Sequence, residues 1–133
     1  MSVKSKDKII NEKKLINSFK YAIEGLKTGY KEEQNLRVHT IIAILVLIVG
    51  FILKLSVVEF AICVILIGLV LMAEFFNTAI ESMVDMITLE ENIHAKKAKD
   101  VSAAGVLVFA CFSAVIGLVI FVPKIIDLIN SLI

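Results

Sequence analysis

Apolar and polar positions fall in blocks along this chain. Residues 1–37 are polar and basic, yet Leu15, Phe19, Ala22, Ile23 and Leu26 recur at three- and four-residue spacing. Lys13, Lys14, Lys20, Lys27 and Lys31 populate the other side. That period is helical, and an apolar stripe beside lysines predicts an amphipathic helix over about 12–34, lying in a membrane interface. A helix packed on a soluble core has the same stripe; the apolar blocks that follow favour the interface.

Val38–Leu53 reads VHTIIAILVLIVGFIL, with His39 and Thr40 its only polar members. With Lys54–Ser56 as a snorkelling end, it nearly reaches the ~20 residues that cross a bilayer. A first span at about 38–56 is expected, closed by a short turn at Lys54–Glu59. Residues 60–73, FAICVILIGLVLMA, then continue into Glu74–Ile87, a stretch without Gly or Pro. This predicts one long helix over about 58–87, half in lipid and half reaching water. Thr88–Asp100 reads as a polar loop. Val101–Val122 is the third span, over about 101–122, rich in the Ala, Gly and Ser that let helices approach closely. Pro123 is its expected stop.

Composition agrees. The chain has 133 residues, 59% of them apolar, and a mean hydropathy of +0.92, against roughly 45–50% apolar in a soluble domain. A globule this small has too little interior to hide the excess. Disordered chains, disulfide scaffolds and most soluble enzymes are excluded, leaving an all-α integral membrane protein of one domain. A net charge of +1 is no footprint for nucleic acid. Cys63 and Cys111 lie in apolar runs and read as small buried residues. The start, MSVKSKDKIINEKKL, does not read as a signal peptide. Twelve of the fourteen Lys and Arg lie before the first span or in the Thr88–Asp100 loop, and two, Lys54 and Lys124, lie on the other side. The positive-inside rule then puts the N-terminus and that loop in the cytoplasm.

The segment 73–100, AEFFNTAIESMVDMITLEENIHAKKAKD, carries the candidate chemistry. At about 100° per residue, Glu74, Asn77, Thr78, Glu81 and Asp85 share a stripe of about 100°. Phe75, Phe76, Ile80, Met83 and Val84 occupy the rest of the surface. A lone Glu near a helix end usually marks the water boundary, His39 alone reads as an interfacial packing residue, and Glu90–Glu91 alone as a solvated turn. Three carboxylates on one face are another matter, because they repel unless a cation or a proton relieves them. Glu33 and Asp100 can join them. Such an oxygen-only set suits Mg²⁺ better than Zn²⁺, and Lys99 offers a positive charge for phosphates. Three spans supply few polar groups, so a complete site needs the N-terminal helix or a neighbouring subunit. A homo-oligomer is expected. A small proton-coupled transporter also places a membrane Glu in an oligomer interface, but needs neither Asn77, Thr78 and Asp85 in the stripe nor Lys99-Asp100. A non-catalytic membrane scaffold needs none of these residues.

The stretch Glu74-Phe75-Phe76-Asn77-Thr78-Ala79-Ile80-Glu81-Ser82-Met83-Val84-Asp85, followed by Ala98-Lys99-Asp100, resembles the signature of the prokaryotic diacylglycerol kinase family. Gly25-Leu26 and Glu33-Gln34-Asn35-Leu36-Arg37-Val38-His39 match the family segment before the first span. The resemblance covers about Ser18 to Phe121. Within it, the E-x-N-x-R-x-H form with His39 looks like the Gram-positive branch, typically undecaprenol kinases, whereas diacylglycerol-specific relatives usually lack that His. The resemblance implies three spans plus an interfacial helix, a homotrimer with composite sites, and ATP with Mg²⁺. It implies Glu33 and Glu81 as Mg²⁺ ligands and Glu74 as base on the lipid hydroxyl. The nucleotide site would comprise Lys14, Tyr21, Glu33, Asn77, Glu81, Asp85, Glu90, Glu91, Asn92, Lys99 and Asp100. The lipid site would comprise Asn35, Leu36, Arg37, His39, Glu74 and Ala103. Some relatives carry Arg, which forks onto phosphate, where this chain has Lys14. The expected reaction is phosphorylation of undecaprenol, with diacylglycerol the alternative, at the cytoplasmic face of a bacterial membrane.

Overall fold

The computed structural model describes the backbone from Val3 and the side chains from Lys13, in both cases to Ile133. Four helices follow in order: α1 Val3–Glu32, α2 Gln34–Ile52, α3 Val57–Ile87 and α4 Ile93–Leu132. Two units result, residues 1–34 and 35–133.

The first unit is α1, which begins earlier than the apolar stripe alone predicts. The added turns carry Lys4, Lys6 and Lys8, good helix formers that need no apolar face. Leu15, Phe19, Ile23 and Leu26 are exposed. The Lys20–Glu24 pair, at 4.0 Å and largely exposed, contributes little. The Glu33 N–H donates to the Gly29 carbonyl at 2.8 Å and closes the helix.

The second unit contains the three helices long and apolar enough to cross a membrane. At 1.5 Å per residue α2 is about 28 Å long, α3 about 46 Å and α4 about 60 Å. Only α2 matches the ~30 Å hydrocarbon thickness; α3 and α4 extend past it. The α2–α3 turn is tight. Lys54 takes a left-handed φ of 52°, and the Leu55 N–H reaches back to the Gly50 carbonyl at 3.1 Å. Ser56 then caps α3 in a reciprocal box: the Ser56 N–H donates to Glu59 Oε2 at 2.7 Å and the Glu59 N–H to Ser56 Oγ at 3.3 Å.

α3 and α4 pack as an antiparallel pair. Lys99 meets Asp85 at one end, and Lys124 lies 3.5 Å from Glu59 at the other. Two sequence expectations are corrected here. The polar stretch 88–100 is not all loop, because α4 starts at Ile93, capped by Asn92 Oδ1, which accepts from the N–H groups of His94 (2.8 Å) and Ala95 (3.2 Å). Nor does Pro123 stop the last helix, which continues to Leu132. Proline costs one helical hydrogen bond and a local kink, both tolerable within a membrane span. The continuation also carries Lys124 to Glu59.

The core of this unit is thin. Leu36, Ala43, Cys63, Val70, Val106 and Ile120 are its buried apolar residues, while Phe51, Leu107, Phe112 and Val119 are among many that stay exposed. A surface of that kind belongs in hydrocarbon or against other chains. Cys63 is buried as expected, but Cys111 is exposed.

Candidate functional site

The α3 stripe is graded by depth. Glu74 and Asn77 are buried, at 3% and 7% exposure. Thr78 and Glu81 are half-buried and Asp85 is exposed. Along α3, Glu81 lies about 10 Å and Asp85 about 16 Å nearer the helix end than Glu74. A carboxylate buried within a span is costly unless a partner is supplied. Glu74 has one from the neighbouring helix: Nε2 of His39 lies 3.1 Å from Glu74 Oε1. His39 sits one turn into α2, and the short α2–α3 turn folds it back beside Glu74.

One turn further on, the side chains form a relay of polar contacts. Asn77 Nδ2 donates to Glu81 Oε1 at 3.1 Å, an i,i+4 contact of the helix. Ser102 of α4 donates to Asn77 Oδ1 at 2.5 Å and sits 2.9 Å from the Lys99 carbonyl. Thr78 spends its hydroxyl on the Glu74 carbonyl of its own helix, at 3.0 Å. At the helix end, Lys99 Nζ donates to Asp85 Oδ1 at 2.6 Å.

Beyond this pair lies a cavity of about 690 Å³ at the α3–α4 connection. Asp85, Glu90, Glu91, Asn92, Lys99 and Asp100 line it, with Lys96 and the apolar Val84, Leu89 and Ile93. Its size is that of a small-molecule pocket. Six residues that the family resemblance assigns to ATP thus meet in one place. Asn77 and Glu81 stand deeper on the stripe. Asn92 also caps α4, so its carbonyl oxygen is already engaged. Thr88 orders the floor by accepting from the Glu90 N–H at 3.1 Å.

The remaining expected residues are placed as follows. Lys14, Tyr21 and Glu33 belong to the first unit; the first two are exposed and Glu33 is half-buried. Of the lipid positions, Leu36 is fully buried, His39 is half-buried, and Asn35, Arg37 and Ala103 are exposed. Among the described residues no three His, Cys, Asp or Glu side chains converge as a metal cluster. Glu81 uses one oxygen on Asn77, and a carboxylate has lone pairs to spare for a cation. The donor chemistry of Glu81 therefore fits a hard ion.

Two contributors, Ser102 and Lys96, escaped the sequence reading, and a third, His39, was named without its partner. Ser102 lies 25 residues from Asn77 and nothing in the sequence pairs them. Lys96 lines the cavity one helical turn before Lys99, and that spacing was a legible signal. His39 was legible as a polar residue in an apolar run, but its contact with Glu74 was not.

Comparison with known proteins places the chain in a family. The family model described as prokaryotic diacylglycerol kinase matches residues 20–121. The chain is 42% identical to the undecaprenol kinase of Bacillus subtilis over 120 residues, which is 90% of this chain and 98% of that protein. It is 33% identical to a diacylglycerol kinase of Synechocystis, covering 86% of this chain and 66% of the relative. It is 31% identical to the diacylglycerol kinase of Haemophilus influenzae, covering 77% and 86% respectively.

Proposed function

This chain belongs to the prokaryotic diacylglycerol kinase family, a family of membrane lipid kinases, and from that premise we propose that it phosphorylates undecaprenol. ATP is the phosphoryl donor. The lipid oxygen forms a bond to the γ-phosphorus, the bond to the β,γ-bridging oxygen breaks, ADP leaves, and the hydroxyl proton passes to Glu74. The product, undecaprenyl phosphate, is the carrier lipid of cell-wall synthesis.

The carrying observation is the depth order of the site. Glu74 is buried within the span, beside a histidine from a second helix. The charged cavity lies toward the helix end, past Asp85 and Lys99. A lipid alcohol arriving sideways from the bilayer meets the base, and a nucleotide arriving from water meets the cavity. No glycine-rich phosphate loop is needed, since phosphoryl transfer is mainly positioning and charge neutralisation.

Carboxylates outnumber lysines in this region, so an anionic nucleotide needs a cation between them. We assign that role to Mg²⁺, which by family position Glu33 and Glu81 would hold; it would supply charge neutralisation on the phosphates. By family position Lys14 and Tyr21 would contribute to phosphate binding, and Lys99 would balance charge near the γ-phosphoryl. The site faces the cytoplasm, where twelve of the fourteen Lys and Arg lie, and the assembly is a homotrimer with sites shared between subunits. Diacylglycerol is the second reading, favoured by the names of two relatives. Both readings use the same residues.

The test is phosphate transfer from labelled ATP in mixed micelles, with undecaprenol and diacylglycerol at equal mole fraction, with and without Mg²⁺. Label mainly on undecaprenol supports the proposal. Label mainly on diacylglycerol refutes the substrate, and label on neither refutes the kinase.

A further inference from the structure

A second cavity, of about 310 Å³, lies within the membrane-spanning part, walled by α2, α3 and α4. One end of its lining is His39, the residue that contacts Glu74. From there it runs past Ile42 and Ala43 of α2, Val70 and Ile67 of α3, and Ala110 of α4. At Gly117 an added Cβ would meet nothing within 4 Å. The α4 wall of the cavity, Ala110, Ser113, Ala114 and Gly117, is therefore made of small residues that leave the space open.

We propose that this cavity receives the proximal hydrocarbon of a polyprenol, the first isoprene units beyond the hydroxyl that Glu74 deprotonates. The inference rests on Glu74 as the base. Three observations support it. His39 both lines the cavity and contacts Glu74, so a chain attached to the reacting oxygen starts beside the cavity. The volume holds on the order of ten groups at ≈30 Å³ each, enough for the start of a long chain whose remainder lies in the bilayer. The lining also discriminates. Ser113 Oγ, buried and without a hydrogen-bond partner, lines the inner part.

Depth follows from the contact of Ser102 with Asn77. Counting along the antiparallel α3 and α4, Ser113 lies about 12 Å further in than Glu74. The ester carbonyls of a diacylglycerol stand only a few bonds from its hydroxyl. At that depth they would meet Ile42, Ala43, Val70 and Ile67, none of which can donate a hydrogen bond. A polyprenol has no such carbonyls and loses nothing there.

The test is lipid kinetics of Gly117→Leu, whose added side chain enters open space rather than a packed neighbour. The KM for undecaprenol should rise about tenfold or more, as expected when methylenes no longer fit a pocket, with the KM for ATP within about twofold. Val115→Leu, on the exposed side of α4, should leave both constants unchanged. An undecaprenol KM within about twofold of the parent overturns the proposal. So does a changed oligomeric state with both constants rising together, because a second copy of this chain would then close the cavity. If Gly117→Leu does not fold, a farnesol bearing a diazirine on its first isoprene unit decides the matter on the parent protein. Label on the α2, α3 and α4 residues that line the cavity, competed by undecaprenol, supports the proposal. Label spread over the exposed faces overturns it. A parent protein that phosphorylates no polyprenol refutes the reading of function as well, whereas an active parent with an indifferent variant refutes the cavity alone.

Discussion

Replacing His39 by Leu probes the least conventional feature of the site. The substitution keeps bulk at one end of the intramembrane cavity but removes the nitrogen 3.1 Å from Glu74 Oε1. The Glu74 side chain is only 4% exposed, so water cannot readily replace the lost donor. A hydrogen bond to a charged group contributes about 1.5–3 kcal/mol. At 1.4 kcal/mol per decade, kcat/KM for the lipid should fall about 10- to 150-fold. His39→Gln, which presents an amide N–H near the same place, should recover part of that loss. The assay is initial-rate transfer from labelled ATP to undecaprenol in mixed micelles, with the KM for ATP followed alongside. The KM for ATP should not move, because the nucleotide cavity lies beyond Asp85 and does not include His39. A His39→Leu protein with parental oligomeric state and lipid kcat/KM within about twofold of the parent would refute the argument that this contact positions the base.

Other outcomes follow from the same geometry. Glu74→Gln should lower kcat by about 10²–10⁴, the usual contribution of a general base, with thermal unfolding in detergent unchanged; a loss of only a few-fold would remove Glu74 from that role. Lys99→Met should raise the KM for ATP without lowering stability by more than about 1 kcal/mol, since its pair with Asp85 is solvent-exposed; nucleotide titration and a melting curve check the two halves. Glu81→Gln and Glu33→Gln should each raise the Mg²⁺ concentration for half-maximal rate, and unchanged titrations in both would remove the metal assignment. Ser56→Ala breaks the capping box of α3 and should cost about 1 kcal/mol in detergent unfolding with little effect on kinetics.

Much of the site was legible because one helix carries it. Glu74, Asn77, Thr78, Glu81 and Asp85 share a face by the 3.6-residue period alone, and their depth order follows from the rise per residue. The three spans were legible from block hydropathy. Their ends were less so, because α4 overrides Pro123 and takes in more than half of the polar stretch before Asp100. Polar composition at 88–100 suggested a loop, whereas the Asn92 cap starts a helix there. Thr78 belonged to the stripe by angle, yet its hydroxyl is spent on its own backbone.

The sequence by itself determined that this is a multi-pass membrane chain with an acidic helix face at a span end, because hydropathy and helical period are local properties. The family signature, also local, pointed to the same chemistry. What only the tertiary structure decided are the meetings between helices: His39 with Glu74, Ser102 with Asn77, Lys99 with Asp85, and the three-walled cavity below His39. These depend on register and rotation between helices. A single-residue slip turns a helix by about 100° and would carry each partner away, and no pattern within one helix encodes that relation.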